Sequence, residues 1–288
     1  MSRLRPAAAA AALLFSMFVP LAAQSHLEIE VGMGRFWPSW QGTYVHRYAP
    51  RFLNDPSAQT TGRQTLAFKA QPASGMVFGA AFFFTPRFAL QLLYDSCDTE
   101  VTGTTSTHDT TATYTSMPPP DYEPRTETAA FSDDPFATGG QWTDRIISLN
   151  GLVRIALPAG FALDLSAGGS WFHADGDLGY PEYTKFWLDG QAALLSQTYA
   201  LQMVFAPVDK LGWNAGAAIN WSLGINAALW IEARYFGCAK IAPRVTFRNT
   251  GEITSIVAFD PAADVPPLGD LSLDLSCLRF GLGFKVFF

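Results

Sequence analysis

Residues 280–288 read Phe280-Gly281-Leu282-Gly283-Phe284-Lys285-Val286-Phe287-Phe288, and this stretch decides the fold. Phe280, Leu282, Phe284, Val286 and Phe288 fall on one face of an extended strand, while Gly281, Gly283 and Lys285 fall on the other. A strand with an apolar face and a small or charged face suits a wall between lipid and a polar interior. In a soluble sandwich, an aromatic strand running to the carboxylate would leave an aggregation-prone edge, and closing the sheet into a barrel removes that edge.

The opposite terminus agrees. Arg3 and Arg5 form a positive segment, Ala7 to Val19 an apolar one, and Leu21-Ala22-Ala23 a small-residue cleavage site. Together they read as a secretory signal peptide over residues 1–23, with the mature barrel domain at residues 24–288. The apolar run falls short of the ~20 residues of a spanning helix, and every later apolar stretch is broken sooner. The chain is 14% aromatic and 15% charged, a balance that fits a half lipid-facing wall. Its formal net charge of -6, made more negative by loss of Arg3 and Arg5, argues against nucleic acid as a partner, because phosphate binding needs a positive field. Acidic surface loops fit a cell surface bridged by divalent cations.

Eight segments share the terminal pattern. They are His26 to Phe36, Gly75 to Phe84, Phe88 to Cys97, Asp144 to Ala156, Phe161 to His173, Gly212 to Ser222, Ala227 to Cys238, and a last one from about Leu273. Short links at Thr85-Pro86-Arg87, Leu157 to Gly160 and Leu223 to Asn226 alternate with four long ones, Trp37 to Ser74, Asp98 to Thr143, Ala174 to Leu211 and Ala239 to Ser272. The fold expected is all-β: a closed, antiparallel, up-and-down transmembrane β-barrel of eight strands with short periplasmic turns and long extracellular loops. Bare loops of that length are uncommon, so Gln64 to Ala70, Thr198 to Ala206, Arg244 to Arg248 and Ile253 to Phe259 are expected to extend hairpins above the membrane. If two of these cross it instead, the barrel has ten strands. Phe84, Phe88, Phe161, Trp221 and Phe288 fall outward near the short turns, and Tyr94, Trp171, Trp213 and Tyr235 near the long loops. That is the placement of two aromatic girdles, separated by the ~9–11 residues a crossing strand needs.

In this alternation and its terminal phenylalanine, the mature chain resembles the small bacterial outer-membrane barrels of the OmpA, OmpX and OmpW kind. In that family a final Phe and alternating apolar residues are read by the insertion machinery, so the resemblance implies the barrel assembly machinery as a partner. It also implies an outer-membrane location among lipid and lipopolysaccharide. It implies no single activity, since such barrels serve as anchors, adhesins, small pores and lipid-modifying enzymes.

Inside the expected barrel, Glu28, Glu30, Asp95, Asp164 and Glu232 face Arg154, Arg234, Arg279 and Lys285. Near balance of sign reads as a salt-bridged plug, with a gated path for small solutes as the sharper alternative. Cys238 and Cys277 lie at similar heights on neighbouring strands, which suggests a disulfide in an oxidising compartment; Cys97 reads as a buried thiol. His173, beside Trp171 and followed by Asp175 and Asp177, is the best catalytic candidate, but no serine is obvious on its face. His173-Ala-Asp175-Gly-Asp177 lacks the ligand count of a calcium loop, and no phosphate-binding glycine loop is present, so no catalytic residue, metal or cofactor is assigned. The function expected is non-enzymatic, structural or surface-binding toward an unknown extracellular ligand. A narrow channel for small or hydrophobic solutes is the alternative, and an outer-leaflet lipid-modifying enzyme ranks behind it.

Overall fold

The computed structural model describes residues 26–48, 59–105, 108–116, 123–133, 137–188, 194–249 and 271–288. The expected signal peptide and the segment 253–259 lie outside them. Among the described residues the chain forms thirteen strands: β1 (His26–Pro38), β2 (Gln41–Tyr48), β3 (Gln59–Ala70), β4 (Ala73–Phe83), β5 (Phe88–Thr105), β6 (His108–Ser116), β7 (Arg125–Asp133), β8 (Ala137–Ala156), β9 (Phe161–Leu188), β10 (Leu194–Ser222), β11 (Ala227–Cys238), β12 (Val245–Asn249) and β13 (Cys277–Phe287).

Eight of these close into a ring in the order β1, β4, β5, β8, β9, β10, β11, β13, all antiparallel, and the ten-strand alternative is not realised. The terminal strand completes it: β13 pairs with β1 from Glu28 opposite Phe287 to Pro38 opposite Cys277, and Leu27 and Phe288 exchange backbone hydrogen bonds of 3.2 and 2.9 Å. Short turns join the strands at one end. In the first, the Thr85 hydroxyl accepts from the amide of Phe88 at 3.0 Å, fixing the reversal before β5. In the second, Ala159 and Gly160 both take positive φ, 61° and 78°, a tight reversal that needs left-handed backbone.

The expected outward residues face outward, and the aliphatic belt is exposed: Met33 is 61% accessible, Leu282 66% and Ile231 66%. In water such a belt would be a large aggregation liability; a closed barrel in lipid satisfies both the belt and the backbone. The girdle residues Phe88, Phe161, Trp171, Trp213, Trp221, Tyr235 and Phe288 are exposed, while Phe84 and Tyr94 are half-buried. Phe161 stacks on Trp221 at the short-turn end, and Trp213 tilts against Tyr235 at the other.

Strand length departs most from expectation. β9 and β10 run 28 and 29 residues and stay paired from Phe161 and Trp221 up to Leu188 and Leu194. Only ~9–11 residues cross a bilayer, so more than half of each strand stands above it. There β3 takes the place of β4 beside β5, β12 that of β11 beside β10, and β2 pairs with β3. The hairpin β6–β7 extends the sheet further through β3.

On β5, β8 and β9 strand parity holds through this extension while polarity inverts. On β10, by contrast, a register shift between Phe205 and Val208 moves the inward series from Asn214, Ala218 and Asn220 to Met203 and Phe205. On β5 the inward series is Gln91, Leu93, Asp95, Cys97, Thr99, Val101, and the outward one Leu90, Leu92, Tyr94, Ser96, Asp98, Glu100. On β9, outward Trp171 gives way to His173, Asp175 and Asp177, and inward Ser170 to Phe172, Ala174 and Leu178. The lower half is polar inside and apolar outside; the upper half is the reverse.

Candidate functional site: a filled barrel interior

The interior is stacked in layers. At the base Phe83 packs with Ala81, Ala89 and Leu152, His26 stacks on its ring at 4.5 Å between centroids, and the Arg154 guanidinium lies 4.3 Å over it. Above this floor β8 and β9 place Arg154 directly opposite Asp164, and the two form a bidentate pair at 2.7 and 2.8 Å. Arg154 also donates to both oxygens of Glu28 across the lumen, at 2.9 Å to Oε2. Lys285 Nζ completes the cluster, 3.1 Å from Asp164 and 3.3 Å from Glu30. Gln91 donates to Glu30 at 2.9 Å and links upward.

The next layer holds the second cluster. Arg279 pairs with Asp95 and Glu232, and Arg234 donates to Glu232 at 2.5 Å, to Ser166 at 2.6 Å and to the Asn214 carbonyl. Asn214 donates to Ser170 at 2.9 Å, and Ser170 meets Ser148 at 2.8 Å. Arg279 and Asp95 are fully buried and Arg234 nearly so. Five carboxylates thus meet four cations, each within reach of an opposite charge, as low dielectric demands of charges removed from water.

Trp230 fills the space between the two clusters. Its ring lies against Gly32, Gly281 and Gly283 on the closing strands; a Cβ at Gly281 would come within 2.9 Å of it, so glycine there makes room for the indole. The indole N–H donates to the carbonyl of Phe284 at 3.3 Å.

Above the charges the interior is apolar. Phe36, Trp40, Leu66, Phe68, Val101, Trp142, Ile146, Phe172, Met203, Phe205, Phe236, Leu273 and Leu275 form one buried apolar cluster. Trp40 meets Trp142 at 5.0 Å, Trp142 meets Phe205 at 5.6 Å, and Phe236 faces both Phe172 and the Arg279 guanidinium.

All three cysteines are free thiols, so the expected Cys238–Cys277 disulfide is not formed. The register puts Phe236, not Cys238, opposite Cys277, because the segment before β13 leaves the ladder and Ser276 takes up the Cys238 backbone. Cys97 is buried, as expected, with its sulfur 3.3 Å from the Thr99 hydroxyl. His173 faces outward beside Trp171, with ring centroids 5.8 Å apart, and its Nδ1 lies 2.9 Å from Asp209, a partner the sequence did not single out. Among the described residues no group of three or more His, Cys, Asp or Glu is placed to hold a metal ion.

A closed ring of eight strands, an exposed aliphatic belt between aromatic girdles and charges sequestered inside define the class: an integral outer-membrane β-barrel. Solved structures similar to the chain are barrels of this kind. The outer-membrane protein OprG of Pseudomonas aeruginosa is 8% identical over 92% of this chain and 96% of its own, with a TM-score of 0.45. The outer-membrane protease OmpT of Escherichia coli is 11% identical over 91% and 97%, with a TM-score of 0.44. Neisserial surface protein A is 8% identical over 91% and 96%, with a TM-score of 0.37. No protein-family model and no curated protein sequence matches the chain.

Proposed function

We propose that this protein is a non-conducting, non-enzymatic barrel that anchors an extracellular extension, and that the extension carries its specific role, either stabilising the outer membrane or binding a surface ligand. One observation carries this: a salt-bridged polar layer lies directly beneath a packed apolar one, so a hydrated solute would have to break the first and then enter the second. Eight strands enclose little more than their own side chains, which agrees with a plug. The channel reading would require Arg279 to leave Asp95 and Glu232 and the Trp40–Trp142–Phe205 stack to part.

Among the described residues no serine is placed within hydrogen-bond reach of His173. The serine in its outward row, Ser96, is two strands away with Arg145 between them, a spacing of about 9.5 Å at ordinary strand separation. Single-channel recording on the refolded mature chain tests the reading: a silent protein that still migrates as a folded barrel without boiling is expected. Discrete openings altered by Arg234→Gln or Glu232→Gln would sink it in favour of a pore.

A further inference from the structure

The sheet of the extension ends on an open edge. The hairpin β6–β7 hangs from the upper part of β3 through β6, and among the described residues β7 pairs with β6 alone. One side of its backbone therefore points away from the sheet, and such an edge is a template for another strand. The sequence of that edge is Arg125-Thr126-Glu127-Thr128-Ala129-Ala130-Phe131-Ser132-Asp133, and it is complementary to itself. In an antiparallel ladder hydrogen-bonded and non-hydrogen-bonded pairs alternate, so two copies of one strand related by a two-fold axis must set a single residue opposite its own mate. Centred on Ala129, all nine residues pair: Arg125 falls opposite Asp133 of the second copy at both ends, Thr126 opposite Ser132, and Thr128 opposite Ala130. Opposite charges and paired hydroxyls directly across a ladder stabilise it, and like charges destabilise it. The neighbouring registers do worse. Centring on Glu127 sets that carboxylate against itself, centring on Ala130 sets Glu127 against Asp133, and centring on Thr128 or Phe131 puts no acid opposite Arg125. A two-fold axis perpendicular to a sheet also keeps its faces, so the face on which Thr113 and Thr128 bring their hydroxyls to 3.3 Å continues across the join.

Height and direction place the second copy. On β5, Thr105 lies well beyond the girdle residue Tyr94 and is the register partner of Leu66. Further up β3, Thr60 is opposite Ala112, which is opposite Ala129. The path from Tyr94 to that level is about 56 Å of strand, roughly 40 Å above the upper interface at a tilt of 35–45°. The edge therefore stands clear of the lipid headgroups. Because this sheet rises from the barrel wall, a two-fold axis perpendicular to it lies along the membrane plane, and the mate enters with its barrel turned the other way. We propose that β7 pairs edge to edge with β7 of a second copy in a facing outer membrane, joining the two membranes through one continuous sheet. The contact deepens the surface-binding role proposed above and rests on it, with the chain's own extension as the extracellular ligand. A single ladder of this length is a small interface, so its hold comes from many copies acting across the same gap.

The test reconstitutes the full mature chain into two populations of lipid vesicles carrying different fluorophores and measures their co-clustering. Wild-type populations are expected to cluster with each other. Arg125→Asp and Asp133→Arg each set like charges opposite one another at both ends of the ladder, and either alone should lower clustering about tenfold. One variant in each population should restore it, because every substituted end then meets an opposite charge. In a cysteine-free background, Ala129→Cys should be cross-linked between the populations by an added oxidant, since directly opposed residues have Cα atoms about 4.5–5.5 Å apart, whereas Thr126→Cys should not. Absence of wild-type clustering, clustering of Arg125→Asp at the wild-type level, or no recovery in the mixture would overturn the proposal. Cross-links formed only within one population would overturn it too, by placing the mate in the same membrane. Unboiled gel migration reports folding of each variant. Conductance is recorded on the same preparations: a silent barrel that fails to cluster refutes this contact alone, and a conducting one refutes the reading beneath it.

Discussion

The lower and upper halves of this barrel share β5, β8 and β9, which keep one parity from end to end and carry opposite chemistry in the two halves. At and below the level of Tyr94 and Trp171 the wall shows Met33, Leu282 and Ile231 to the outside and keeps Asp95, Glu232, Arg234 and Arg279 within. Above them it shows Asp98, Glu100 and Asp177 outward and keeps Trp142, Phe172 and Phe205 within. The pleat dictates which residues share a face; the solvent on each side dictates which face is apolar. One continuous strand can therefore change environment without a slip, as β5 does against β8; β9 keeps its register against β8 too, while its ladder with β10 shifts between Phe205 and Val208. The change marks the membrane surface more sharply than any loop does.

The comparison can be broken first at the charged layer. Arg279→Ala would strand Asp95 and Glu232 without their partner and should destabilise the barrel by about 3–5 kcal/mol, read from urea titration in vesicles by unboiled gel migration. A loss under about 1 kcal/mol would mean that water already reaches these groups. Phe172→Ala, in the upper apolar layer, should cost about 3–5 kcal/mol but act locally. Protease should trim the extension of that variant while the membrane-embedded ring keeps its migration; loss of both together would show that the halves fold as one unit.

The outer wall offers a sharper contrast. Leu282→Arg, in the belt, should cost about 2–4 kcal/mol, whereas Glu100→Arg, outward in the upper half, should stay within about 0.5 kcal/mol. Equal costs would remove the boundary between the halves. The smallest effect is expected from Cys238→Ser: with no disulfide to lose, the urea midpoint should be the same with and without reductant. A reductant-sensitive midpoint in the wild type alone would show a bridge in solution.

Much of the membrane half was legible in the sequence because lipid imposes a strict alternation. Ala227 to Cys238 coincides with β11, and the turns at Thr85, Leu157 and Leu223 fall where expected. The extension was not legible on the same terms. The expected strand ends at Cys97, Asp144 and His173 mark the point where outward residues turn polar, so a reading that followed one apolar phase stopped at the membrane surface. The missed signal was the continued alternation in reversed phase, as in Trp142, Asp144 and Ile146 inward against Gln141, Thr143 and Arg145 outward. For the interior charges, facing and balance followed from parity, but partners did not. Arg279 reaches Asp95 and Glu232 across the lumen, a matter of barrel shear and side-chain reach that no local pattern encodes. The glycine bed under Trp230 belongs to the same kind, since its parts come from β1, β11 and β13.

The most direct measurement is an accessibility scan along β5 in a cysteine-free background. Single nitroxide labels at Leu90, Leu92, Tyr94, Ser96, Asp98 and Glu100 would be exposed in turn to a lipid-soluble and a water-soluble relaxation agent. The account predicts lipid contact from Leu90 through Tyr94 and water contact at Asp98 and Glu100. Lipid contact persisting to Glu100, or water contact already at Leu92, would contradict it.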